Sequence, residues 1–139
     1  MGIQELLSDL NIHYCAIIRN VATSINLTLS QALHLLSIPH GGISMSDLAN
    51  KIGLDPSTLT RNIQGLETAG YVVRNRNVSD KRIFLVYLSK QGADSQNIIE
   101  QELESQVQKI LINLDIEKQE TLMCGLEEFV WKMDCMRQK

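Results

Sequence analysis

Arg74, Arg76, Lys81 and Arg82 lie close together, at the edge of or within one short polar stretch that separates two runs rich in β-branched and aromatic residues. Clustered guanidinium and ammonium groups neutralise and hydrogen-bond phosphate oxygens, so this stretch is a candidate polyanion-binding surface. Just upstream, Ser57, Thr58, Thr60, Arg61 and Gln64 fall on the outward face of a helical pattern. Their hydroxyl, guanidinium and amide groups are those that bond base edges, Arg to guanine and Gln to adenine. Asp80 interrupts the basic stretch two residues before Arg82. Carboxylate and guanidinium match in plane and spacing, so Asp80 is expected to hold Arg82 at a fixed angle.

Other chemistries find less support. The chain has no glycine-rich phosphate loop, no His-Glu-x-x-His helix and no Gly-x-Ser-x-Gly elbow, and the paired Glu127-Glu128 reads as a solvated helix face, so no enzyme is expected. His13 and Cys15 are two apart and do not share a helix face, and neither Cys-x-x-Cys nor His-x-x-x-His occurs, so no metal or cofactor is expected. Cys15, one turn before Arg19, is the candidate redox thiol, because a sensor needs a nearby cation to lower its pKa. Cys124 and Cys135 are eleven apart on one helix, too far to bridge. The first ten residues carry Glu5 and Asp9 and no basic residue, unlike a secretory signal; reduced thiols and a cytoplasmic location are expected.

The 139 residues are enough for one domain with a real core, 44% hydrophobic but only 4% aromatic, which favours helices packed through Leu and Ile. A net charge of -3 disfavours a polyanion partner until it is divided along the chain. Residues 51–90 hold seven basic and three acidic residues, a net +4, between a first segment at -2 and a last at -5. Only the middle is built to face a polyanion.

The elements that position these groups follow from periodicity. Ile3, Leu6, Leu7, Leu10, Tyr14, Ile17, Ile18, Val21 and Ile25 mark a long amphipathic helix. Thr28 with Gln31 has capping-box spacing and opens a second helix, which breaks at Pro39-His40-Gly41-Gly42. Ser44 and Asp47 begin a third, with Gly53 at its end. Asp55 as cap and Pro56 at the first position open a fourth, buried through Leu59, Ile63 and Leu66 and ending at Gly70. Residues 71–74 and 83–88 read as a hairpin whose loop runs from Asn75 to Arg82. Ser89 caps the next helix, in which Gly92 is a mild cost and Ile99, Leu103, Val107, Ile110 and Leu114 face inward; Asp115 caps the last. Stripes at Leu6, Leu10, Ile17, Val21, Ile110, Leu114, Leu122, Leu126, Phe129 and Met133 exceed what one small module can cover, so a homodimer is expected.

Two short helices, a basic hairpin and flanking helices outline a winged helix-turn-helix. Leu27-Thr28-x-x-Gln31, Ser46-Asp47-Leu48-Ala49, Asp55-Pro56-Ser57-Thr58-Leu59-Thr60-Arg61, Leu66-Glu67-x-x-Gly70-Tyr71-Val72, Asp80-Lys81-Arg82 and Leu88-Ser89-x-x-Gly92, in that order and spacing, resemble the MarR family. The resemblance implies a mainly α fold with a small β hairpin (α+β), a winged helix-turn-helix whose terminal helices form a dimerisation domain. Within a single domain spanning 1–139, residues 28–90 would be the DNA-binding part and 1–26 and 91–139 the dimerisation helices. It implies a sequence-specific double-stranded-DNA-binding transcription regulator acting as a homodimer on a palindromic operator. By analogy it implies a repressor, often released by a small ligand or an oxidant. Two alternatives stand beside it: a winged-helix adaptor that binds protein instead of DNA, and a thiol-based redox sensor acting through Cys15. Asn62 and Gln64-Gly65 depart from residues common in the family, so no operator sequence carries over.

Overall fold

The computed structural model describes residues 1–138. The chain forms helices α1 (Ile3–Ser24), α2 (Leu29–Ser37), α3 (Met45–Ile52), α4 (Pro56–Thr68), α5 (Lys90–Leu111) and α6 (Ile116–Arg137), with strands β1 (Ile43–Ser44), β2 (Val72–Arg76) and β3 (Phe84–Leu88). It divides into two compact units, Met1–Leu103 and Glu104–Lys139.

In the first unit, local chemistry sets each boundary. At the start of α2, the Thr28 hydroxyl accepts from the Gln31 N–H at 3.1 Å while Gln31 Oε1 accepts from the Thr28 N–H at 2.9 Å, the expected capping box. Ser44 Oγ accepts from the Asp47 N–H at the start of α3, and Gly53 ends that helix at φ 83, where a side chain would be strained. A core of Ile18, Leu35, Ile38, Leu48, Leu59, Ile63, Leu66, Val86 and Ile99 draws on five helices and the sheet. Full burial of each such aliphatic side chain contributes about 1.5–3 kcal/mol.

The sheet has three strands, one more than the hairpin expected from sequence. Its order is β1-β3-β2, all antiparallel, with Ile43 opposite Val86 and Arg74 opposite Val86 on the other side. The two residues leading into α3 thus occupy the free edge of β3 and tie the helix-turn-helix to the hairpin.

Gly92 has a larger role than the mild cost expected from sequence. It is buried, and a Cβ built on it would lie 1.9 Å from the Tyr71 carbonyl oxygen. That oxygen accepts from the Ser89 N–H at 3.0 Å, while the Ser89 hydroxyl accepts from the Gly92 N–H and donates to the Gly70 carbonyl. The start of α5 can therefore lie directly on the start of β2 only because position 92 lacks a side chain. At the other end of α2, Gln96, 4% exposed, donates from Nε2 to the carbonyls of Leu35 and Ile38 at 2.7 and 2.9 Å. Carbonyls at the helix end, where the α-helical bonding pattern stops, thus gain a donor from α5.

In the second unit, Asp115 caps α6 through the Lys118 N–H, and Gln119 Nε2 donates to the carbonyls of Leu111 and Leu114. No described residue of α6 is buried, and Leu122, Leu126, Phe129 and Trp131 are 37–60% exposed. Ile110, expected inward, is 57% exposed, whereas Ile99 and Leu103 are buried as expected. No helix among the described residues is long and apolar enough to cross a membrane.

Candidate nucleic-acid interface

Helices α3 and α4, joined through Gly53, Leu54 and Asp55, form the helix-turn-helix, with Pro56 at the first turn of α4. Leu59, Ile63 and Leu66 face the core, which turns Ser57, Arg61 and Gln64 outward as exposed residues and leaves Thr58 and Thr60 half-buried.

Asp55 occupies the N-cap position, but its side chain makes no cap bond to the backbone. Instead, Asp55 Oδ2 accepts from both the Ser57 and Thr58 hydroxyls at 3.1 Å. The Thr58 hydroxyl, then that of Ser57, holds the Asp55 carboxyl below its ordinary pKa, with the Arg61 charge adding a smaller effect. Thr60 Oγ1 donates to the Pro56 carbonyl at 2.8 Å. All three hydroxyl protons are thus used within the chain, and these side chains offer lone pairs outward. The guanidinium of Arg61 and the amide of Gln64 are the large outward donors of this helix.

The basic hairpin is organised around two features. Asp80 Oδ1 accepts from the Arg82 backbone N–H at 3.0 Å and from Nε at 3.1 Å, and Oδ2 accepts from Nη2 at 3.3 Å. Arg82, through its side chain and then its backbone N–H, lowers the Asp80 pKa. This pairing fixes the guanidinium plane while its side chain stays 90% exposed. The second feature was not read from sequence. Arg76 and Phe84 are ladder partners, and both Arg76 and Arg74 lie over the Phe84 ring, at 5.1 and 6.0 Å from its centre. An aromatic residue beginning the second strand of a basic hairpin was the available signal.

The four hairpin cations are not equivalent. Arg74 is half-buried and donates to Glu67 of α4 at 3.3 Å, so it ties the wing base to the helix. Arg76 donates to the Lys81 carbonyl at 3.4 Å, and Lys81 is exposed at the turn. Between the hairpin and the helices lies an open recess of about 290 Å3, lined by Met45, Pro56, Leu59, Thr60, Arg82 and Phe84 among others. Arg82 therefore stands across this recess from the N-terminal half of α4. Cys15 is half-buried on α1, its thiol 3.5 Å from Asn11 Oδ1, an amide rather than a cation. In the sequence Asn62 stands out only as a departure; the structure places its amide against His34.

Comparison with known proteins agrees with this architecture. The sequence profile of the MarR family matches residues 25–84. An uncharacterised HTH-type transcriptional regulator of Bacillus subtilis, YdgJ, is 36% identical over 81 residues, covering 58% of this chain and 49% of YdgJ. The chain thus spans about half the length of that curated relative. The crystal structure of wild-type MarR from E. coli, apo form, superposes with a TM-score of 0.79 at 25% identity, covering 93% of this chain and 97% of MarR. A mutant of E. coli MarR complexed with operator DNA gives 0.74 at 26% identity, covering 91% and 92%. Residues 25–84 thus resemble the MarR family, and the chain shares the winged helix-turn-helix fold of these solved structures.

Proposed function

We propose that this chain is a sequence-specific double-stranded-DNA-binding transcription regulator, a repressor, that acts in the cytoplasm as a homodimer on a palindromic operator. The observation that carries the reading is the juxtaposition of Arg82 with α4 across one open recess, with Arg61 and Gln64 exposed on that helix. Helix α4 enters the major groove, where Arg61 and Gln64 read base edges and Ser57, Thr58 and Thr60 accept from base amino groups or waters. Arg76, Lys81 and Arg82 contact the flanking backbone or minor groove, and Arg74 adds its charge from the wing base.

The dimer is argued from exposed apolar surface. Ile3, Leu6 and Leu10 on α1 are 52–68% exposed, and the 22-residue α6 has no buried residue and leaves Leu122, Leu126, Phe129 and Met133 37–43% exposed. Apolar surface of this extent is an interaction site. A second copy supplies the cover with two-fold symmetry, which sets two copies of α4 on half-sites about 34–36 Å apart. By family analogy, a small-molecule effector releases the DNA.

Selection of bound duplexes from a random pool, followed by footprinting, tests this reading. A symmetric two-half-site footprint is expected, lost when the correct effector is added. An asymmetric footprint, or no selected sequence, would count against it. Salt-insensitive binding to a protein instead would favour the adaptor.

A further inference from the structure

Where α2 and the middle of α4 line one recess, a polar pair bridges the two helices. His34 is 3% exposed, and its Nδ1 lies 2.6 Å from the Ser30 carbonyl oxygen one turn back on α2. A carbonyl only accepts, so Nδ1 carries the proton, and Nε2 of the neutral ring presents a lone pair. Asn62 Nδ2 lies 3.1 Å from that Nε2, so the amide donates. The orientation of the Asn62 amide follows: turned over, Oδ1 would set lone pair against lone pair.

This bond sits where packing is open. A recess of about 300 Å3 is lined there by Thr28, Gln31, His34, Arg61, Asn62 and Gly65 among others. Gly65 contributes no side chain, and nothing would obstruct a Cβ on it. The outer edge of α4 is thus not wedged by side chains at the level from which Arg61 leaves. Helix α2, by contrast, is closed at its start by the Thr28–Gln31 capping box and tied at its end to other elements by Gln96 and by Lys51, whose Nζ donates to the Ser37 carbonyl. A side chain fixed on such a platform can set the position of a neighbouring one.

We propose that His34 is a positioning residue for α4. Its Nδ1–H tautomer, set by Ser30, holds Asn62 through Nε2 and thereby fixes the direction from which Arg61 and Gln64 leave the helix. The proposal rests on the DNA-binding reading above.

The test uses the full chain. In 15N-labelled protein at neutral pH, long-range 1H–15N correlations should show His34 protonated at Nδ1; an Nε2–H form overturns the proposal. His34→Leu and Asn62→Leu should each weaken binding to the selected duplex about tenfold, the order expected from losing one buried hydrogen bond. Binding to random duplex should stay within about twofold, because backbone contacts do not depend on the exact helix direction. The double variant should lose no more than either single, since both remove the same bond. Additive losses, or equal losses on random and selected duplexes, overturn the assignment of His34 while leaving the DNA reading intact. A wild-type protein that binds no duplex sinks the DNA reading, and His34 as a positioner of a DNA-reading helix falls with it.

Discussion

Replacing Gly92 with alanine sets two effects of opposite sign against each other at one position. In an ordinary helix the change would stabilise by up to about 1 kcal/mol, because glycine loses more backbone freedom on folding. Here the new methyl would start 1.9 Å from the Tyr71 carbonyl oxygen, a backbone atom. Relieving that contact requires a separation of more than about 1 Å between α5 and β2, an overpacking that costs about 1–3 kcal/mol. The same movement stretches the 3.0 Å bond from the Ser89 N–H to Tyr71, which contributes about 1 kcal/mol more. The contact therefore wins, and Gly92→Ala should lose about 1–3 kcal/mol net. Urea denaturation would show this as a lower midpoint at unchanged m-value. Because β2 leads into the cationic hairpin, affinity for the selected duplex should fall as well. A variant more stable than wild type would refute the reasoning, since it would mean that α5 does not lie against Tyr71.

Further predictions address the proposed interface. Arg61→Ala should cost about 1–3 kcal/mol at one base-pair position per half-site and relax preference there, as read by binding to single-substituted duplexes; uniform loss would make it a phosphate contact. Arg82→Ala should flatten the log–log salt dependence by about one unit for each phosphate it neutralises, hence about two per dimer. The lowered pKa of Asp80 means that the Asp80–Arg82 pairing contributes fully above the ordinary carboxylate value and is lost as pH falls through the lowered one. The Arg82 Nε–H NMR signal should therefore shift only in acid below about pH 4, and Asp80→Asn should abolish that shift. Phe129→Glu should convert a dimer to monomer in sedimentation equilibrium; an unchanged mass would remove this face of α6 from the interface.

Much of the fold was legible because its signals are local. Thr28 with Gln31, Ser44 with Asp47, Gly53, and Asp80 with Arg82 each declare themselves within a few residues, and each stands where the sequence put it. What the sequence could not display are relations across distance. Strand β1 is two residues whose only reason to be extended is the edge of β3, over forty positions away. Gly92 looks like a poor helix residue until Tyr71, a separate element, is brought against it. His34 and Asn62 are 28 residues apart, and nothing local in the sequence pairs them. Asp55 was read correctly as the N-cap position, but propensity could not tell that its carboxylate would bind two hydroxyls in place of the backbone. Periodicity also marks an apolar stripe on α6 without saying what covers it.

The most direct test of DNA recognition through helix α4 and the cationic wing is equilibrium binding of the selected and a scrambled duplex across a salt series. Arg76, Lys81 and Arg82 from two protomers would neutralise six phosphates, so log affinity should fall against log salt with a slope of about -5 on either duplex. The selected duplex should bind at least about a thousandfold more tightly throughout. Equal affinities for the two duplexes, or a slope near zero, would contradict it.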